Sequence, residues 1–154
     1  MRLRLIWVGK TRDAHLRALV EEYLKRLSRF VRCDVTELRE SAAEDPRACL
    51  EEEGKRITGA SASEALTILL DVSGTTAWSS EELAAQVLAW EGRSVKEVAF
   101  VVGGHLGVSE EVRARAQVRW SLSRLTLTHE MARVVLVEQL YRAYTITRGL
   151  PYQK

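Results

Sequence analysis

The sequence is short of the residues that announce most familiar chemistries. It holds two cysteines, Cys33 and Cys49, with no CxxC pair. Isolated thiols point to a reduced, cytoplasmic protein and away from a disulfide scaffold. Its three histidines, His15, His105 and His129, form no HxxxH or HExxH pair and no Cys/His cluster, so no metal is expected. There is no GKS or GKT and no GxSxG. A P-loop and a serine hydrolase elbow are therefore without support. No apolar run approaches the roughly 18 residues of a membrane span. The N-terminal MRLRLIWVGK has charge but lacks the apolar region and small-residue cleavage site of a signal peptide. No membrane association is expected.

What is present reads as an ordinary globular chain, 46% hydrophobic and 29% charged over 154 residues. That length suits a single domain spanning 1–154. The net charge is only +2, but it is uneven. Glu37 to Glu64 holds eight acids and four bases, net −4, whereas Glu111 to Lys154 holds eight bases and three acids, net +5. A basic C-terminal third suits a polyanion such as RNA. On charge alone, a solvated face without a ligand explains it equally well.

Periodicity predicts ten elements in strict alternation. Leu3 to Val8 reads as a strand stopped by Gly9. Leu16, Leu19, Val20, Tyr23, Leu24 and Leu27 form one helical stripe. Val31, Cys33 and Val35 alternate with polar residues, as in a strand with one wet face. Pro46 suits the first turn of a short acidic helix ending near Gly59. Leu66 to Val72 and Val95 to Val102 are apolar runs expected of strands covered on both faces. Ser79 and Glu82 predict a capping box for a helix through Trp90, and a further helix opens at Ser109. Trp120 to Leu127 is β-compatible. The last helix is expected from about Glu130 to Thr147, burying Met131, Val134, Val135, Leu136, Leu140, Tyr141 and Tyr144. It is apolar around most of its circumference, so it needs cover on more than one side, from the fold or from a second subunit. The order predicts an α/β fold: a mainly parallel sheet with helices on both faces.

Ligands in such sheets bind beyond the carboxyl ends of the strands. Three ends are candidates: Leu70 to Gly74, Val102 to Gly107, and Leu122 to His129. The Gly103-Gly104-x-x-Gly107 spacing is not GxGxxG and follows the fourth strand, so it argues for a tight turn and not for dinucleotide binding. His15 reads as a surface residue, His105 as part of the Gly turn, and His129 as a cap or shaping group for the last helix.

Three stretches carry a family resemblance: LLDVSG, FVVGGHLGVSEEV and WSLSRLTLTHEMARVVLVEQLYRAYTITRGLPYQK. Together they resemble the bacterial large-subunit rRNA pseudouridine N3-methyltransferases (the RlmH type) of the SPOUT class. The resemblance covers the whole chain and is most specific over residues 100–154. It implies a C-terminal trefoil knot, a homodimer packed through the last helix, and S-adenosylmethionine as cofactor. By motif, the cofactor contacts would be Leu70, Asp71, Gly103, Gly104, Ser123, Arg124, Leu125, Thr126, Leu127 and Thr128. The implied substrate is a pseudouridine in a stem-loop of 23S rRNA in the assembled ribosome. Tyr152, Arg142, His129 and Gln153 are the candidates for the catalytic side, with Arg142 and Lys154 also able to hold phosphates.

The chain departs from the family pattern in two places. The usual tail PYH is here Pro151-Tyr152-Gln153, and Gln cannot act as a base near neutral pH. A Pro that commonly precedes the retained His129 is here Thr128. The first departure leaves two alternatives standing: a ribosome-binding assembly factor with weak or lost catalysis, and a SPOUT methyltransferase with another RNA target.

Overall fold

The alternation of side chains in the first strand sets the layering. In β1 (Arg2–Val8), Leu3, Leu5 and Trp7 point into one core, and Ile6 and Val8 into another. The central strand β4 (Glu97–Val102) repeats the division. Val98, Phe100 and Val102 join the first core, and Ala99 and Val101 the second. Each fully buried large apolar side chain contributes about 1.5–3 kcal/mol. The molecule, described here from a computed structural model, is thus a sheet with helices on both faces. The structure describes residues 1–152. Gln153 and Lys154, named above for the catalytic tail, lie outside the described residues.

The chain runs β1, α1 (Ala14–Leu27), β2 (Arg32–Leu38), α2 (Pro46–Ala60), β3 (Leu66–Leu70), α3 (Ser80–Gly92), β4, α4 (Glu110–Arg115), β5 (Val118–Trp120) and α5 (His129–Thr147). All five strands are parallel, in the order β2-β1-β4-β3-β5. Helices α1, α3 and α5 cover one face, and α2 and α4 the other.

Local chemistry explains most boundaries. Asp13 caps α1 by accepting from the backbone N–H groups of His15 and Leu16, and Pro46 opens α2 behind the Asp45 cap. Ser79 and Glu82 form the expected capping box, each side chain taking the other's backbone N–H. Gly54 lets α2 approach α4 closely, since a Cβ there would stand 2.5 Å from Ser109 Oγ. Buried Glu97 takes Arg2 Nε at 2.5 Å and Arg4 Nε at 3.3 Å.

Three expectations need correction. The fifth strand is Val118–Trp120 and stops before the Ser/Thr-rich stretch; residues 121–128 are a loop. There the Ser121 hydroxyl donates to Ser123 O at 2.8 Å, and Ser123 Oγ accepts from Leu125 N at 2.9 Å. These local bonds replace a strand ladder. Met131 is exposed at 39%, and Val135 and Tyr141 are only partly covered, because the sheet, α1 and α3 surround α5 on its other sides. The cap of α5 is Thr128, whose hydroxyl accepts from Met131 N, and His129 is the first helical residue.

Candidate active site

The carboxyl ends of β3, β4 and β5 open into one cleft of about 590 Å³. That volume suits a ligand of nucleoside size or somewhat larger. One wall is Leu70-Asp71-Val72, a second is the turn from Val102 to Val108, and the third is the loop from Leu122 to Thr128. Of the residues expected to hold a cofactor, Leu70, Asp71, Gly103, Gly104, Ser123, Leu125, Thr126, Leu127 and Thr128 line this cleft. Arg124 is exposed and is not among the lining residues.

Glycine is required where the walls close most tightly. A Cβ on Gly103 would stand 2.8 Å from Gly107 O and from Val108 Cγ1, and one on Gly74 would stand 2.5 Å from Arg119 O. Both contacts are shorter than real side chains tolerate. Gly107, at φ +84°, donates its N–H to Gly104 O at 3.0 Å and closes the turn. Leu125, exposed at 74%, and Val72 supply an apolar rim.

Charge in the cleft is concentrated around Asp71. Its carboxylate takes Arg119 Nε at 3.1 Å and Nη2 at 2.9 Å, with the Ser73 backbone N–H at 2.9 Å and the Ser73 hydroxyl at 2.8 Å. Burial pushes its pKa up, but the Ser73 and Arg119 bonds outweigh burial and hold it below the usual carboxylate range. Arg113 also lines the cleft, 3.7 Å from Asp71. His129 faces the cleft from the start of α5. Burial, then the nearby Arg133 cation, lower its pKa below 6.5, so the imidazole is neutral at pH 7. His105 lines the cleft from the Gly turn, whereas His15 is exposed on α1.

The start of α5 is tied to the loop after β1. Glu130 accepts the backbone N–H groups of Arg12 and Asp13. Arg133, with no exposed surface, donates to Thr11 Oγ1 at 2.9 Å and Val8 O at 2.6 Å, its guanidinium 5.1 Å over the Trp7 ring. No periodicity argument marks a buried arginine inside an apolar helix, and Arg133 escaped the sequence reading.

Among the described residues, the remaining candidates Arg142 and Tyr152 lie toward the other end of α5. Arg142 lies about 20 Å from His129 along the helix axis. It donates to Glu138 Oε1 at 2.6 Å, an i,i+4 pair along the helix, and stacks 4.7 Å over the Tyr152 ring. The Tyr152 hydroxyl lies 3.0 Å from Glu138 Oε1 and 3.3 Å from the Tyr23 hydroxyl. Burial, together with the bonds to Tyr23 and Glu138, raises the Tyr152 pKa. Within one chain, Arg142 and Tyr152 do not enter the cleft. Glu138 and Tyr23, which hold them, were not singled out as site residues in the sequence. The i,i+4 spacing was the only signal for Glu138, and only tertiary contact reveals Tyr23.

Comparison with known proteins identifies the family. Residues 1–153 match the family model described as "Predicted SPOUT methyltransferase". The chain is 40% identical to ribosomal RNA large subunit methyltransferase H of Desulfotalea psychrophila, over the full length of both. It is also 40% identical to the protein of that name from Geotalea daltonii, over 99% of each chain. The Streptococcus pneumoniae protein of that name is 38% identical over the full length of both. Among solved structures, a Legionella pneumophila methyltransferase in complex with SAM superposes with a TM-score of 0.52 at 16% identity. The match covers 91% of this chain and 65% of that one, so the likeness speaks for the fold alone. The chain belongs to the SPOUT methyltransferase family.

Proposed function

We propose that this protein is an S-adenosylmethionine-dependent methyltransferase that acts on N3 of a pseudouridine in a stem-loop of 23S rRNA in the assembled ribosome. The observation that carries the reading is the cleft at the ends of β3, β4 and β5. It is nucleoside-sized, walled by backbone at Gly103 and Gly104, and lined by nine of the ten residues expected to bind the cofactor. The full-length relatives named as rRNA methyltransferases support the substrate class.

The fit to S-adenosylmethionine is chemical as well as spatial. Backbone groups of the Gly turn and of residues 122–128 can meet an adenine edge and ribose hydroxyls, and the apolar rim can cover them. A neutral His129 adds no positive charge beside a cationic sulfonium. When bound, the cofactor supplies an electrophilic methyl group. The protein's own task is to hold N3 in line with it and to help the N3 proton leave. Tyr152, with a raised pKa, stays protonated at neutral pH and acts as a hydrogen-bonding group, not a base. Arg142 can hold a phosphate or favour the N3 anion by its charge.

We further propose a homodimer in the cytoplasm, with a C-terminal trefoil knot. Support for the knot comes from the course of α5, which packs between α1 and α3 and is stitched at its start to the β1–α1 loop. Support for the dimer comes from the partly uncovered side of α5 at Met131 and Val135, and from the separation of the cleft from Arg142 and Tyr152. A second subunit would bring its tail to the first subunit's cleft.

The test is methyl transfer from labelled S-adenosylmethionine to ribosomes lacking the modification, with 50S subunits and 70S ribosomes compared. Transfer to one pseudouridine N3 is the expected result. Ribosome binding without transfer would replace this reading with that of an assembly factor, the alternative raised by Gln153. Transfer to a different nucleotide would keep the chemistry and change the target. A monomeric mass at micromolar concentration in sedimentation would remove the dimer.

A further inference from the structure

Two guanidiniums stand beside Asp71, and they are not equivalent. Arg119 is committed. Its Nε and Nη2 both bond Asp71 Oδ2, and Nη2 also meets Ser73 Oγ at 2.9 Å. Asp71 is committed in turn, its second oxygen taken by Ser73 and its side chain only 7% exposed. Arg113 is different. Its one side-chain hydrogen bond among the described residues runs from Nη1 to Glu110 Oε1 at 2.9 Å, and that carboxylate is 87% exposed. An exposed pair of this kind is readily exchanged for another partner. Arg113 Nε is buried with no hydrogen-bond partner among the described residues, because Asp71 Oδ2 at 3.7 Å is too far and already taken. A guanidinium with most of its fork uncommitted thus lines a cleft whose rim is apolar.

A planar fork of donors matches a carboxylate or a phosphate in bidentate fashion. S-adenosylmethionine carries one anionic group, the carboxylate of its methionine end. Its ammonium and sulfonium are cations and are repelled by a guanidinium. We infer that Arg113 anchors the methionine carboxylate of the cofactor, an assignment that rests on the cleft being the S-adenosylmethionine site. It orients the ligand: the amino-acid end lies toward α4 and Asp71, and the nucleoside between the Gly turn and residues 122–128. Glu110 is displaced from Arg113 on binding and turns to solvent. Asp71 and Arg119 hold the wall against which Arg113 is set.

Calorimetric titration tests this without any turnover. The ligands are S-adenosylhomocysteine and its decarboxylated analogue, which keeps the ammonium and lacks only the carboxylate. The wild-type protein is compared with Arg113→Met and Arg113→Lys. The wild type is expected to bind the carboxylate-bearing ligand about 10- to 100-fold more tightly than the analogue, the range for a hydrogen-bonded charged partner. Arg113→Met should abolish that preference by weakening S-adenosylhomocysteine alone, leaving the analogue within about twofold of wild type. Arg113→Lys should keep part of the preference, because it retains the charge and loses the fork. Equal weakening of both ligands by Arg113→Met, or no weakening of either, overturns the assignment. Unchanged cofactor binding with a loss of ribosome affinity would place an RNA phosphate on Arg113 instead, and also overturns it. If the wild type binds neither ligand, the reading of the cleft itself fails, an outcome distinct from all of these.

Discussion

The Tyr152 phenol lies 3.0 Å from Glu138 Oε1, the same oxygen that takes Arg142 Nη2 at 2.6 Å. One carboxylate thus holds Arg142 and Tyr152 in a fixed relation, and the Arg142 guanidinium closes the group by stacking on the Tyr152 ring. We expect Glu138→Gln to loosen both side chains while leaving the distant cleft intact. Turnover should fall about tenfold or more, with cofactor affinity within about twofold of wild type. Labelled-methyl transfer and calorimetry on one preparation check the pair of outcomes. A variant that loses cofactor affinity to the same degree would show that the two ends of α5 are not separable.

Arg133 is a buried cation with no carboxylate in hydrogen-bond contact among the described residues, held by Thr11 Oγ1, Val8 O and the face of Trp7. Arg133→Ala leaves a cavity and strips Val8 O of a donor. The expected cost is about 2–4 kcal/mol in denaturant unfolding. Arg133→Lys should recover part of it, since one ammonium can reach one of the two acceptors. A change below about 0.5 kcal/mol for the Ala variant would mean that relief of charge burial offsets the lost bonds.

The glycines divide sharply. Gly103→Ala places a methyl group 2.8 Å from Gly107 O and Val108 Cγ1. It should cost about 1–3 kcal/mol and weaken cofactor binding, because the displaced turn is a cleft wall. Gly59→Ala in α2 meets nothing within 4 Å and should stabilise by roughly 0.5–1 kcal/mol. Thermal melts of the two variants against wild type give opposite signs if the geometry is right.

His129 yields a pH dependence. Its folded-state pKa lies below 6.5, lowered first by burial and then by Arg133, with His105 acting the same way and Glu130 and Glu40 opposing. A group depressed in this direction contributes fully above its unfolded value and loses that contribution as pH falls through the folded one. Stability should therefore decline as the pH drops below about 6.5, and the decline should be shallower in His129→Asn. Urea midpoints at stepped pH measure both curves. Superimposable curves would assign the acid limb to other groups.

Much of this molecule was legible without coordinates. Strand alternation in β1, the capping box at Ser79 and Glu82, and the uninterrupted apolar run of β4 each follow from local side-chain chemistry, which acts over a few residues whatever the rest of the chain does. The three strand ends that form the cleft were also readable, because parallel α/β sheets place ligands there. Where local rules misled, a nearby competitor had won. The Leu122–Leu127 alternation suits a strand, but the hydroxyls of Ser121 and Ser123 bond their own backbone and make a loop.

The alternating elements, the sheet type and the family follow from the order of residues alone, since periodicity, caps and motif spacing are properties of neighbours along the chain. Which charges meet depends on the packed fold. It set Arg113 and Arg119 beside Asp71, from more than forty positions away. It buried Arg133 against β1 across 125 positions, and it closed Glu138, Arg142, Tyr152 and Tyr23 into one group. Contacts of this range depend on how whole helices pack on a sheet, and the placement of an arginine on either side of such a contact leaves no periodic mark in the chain.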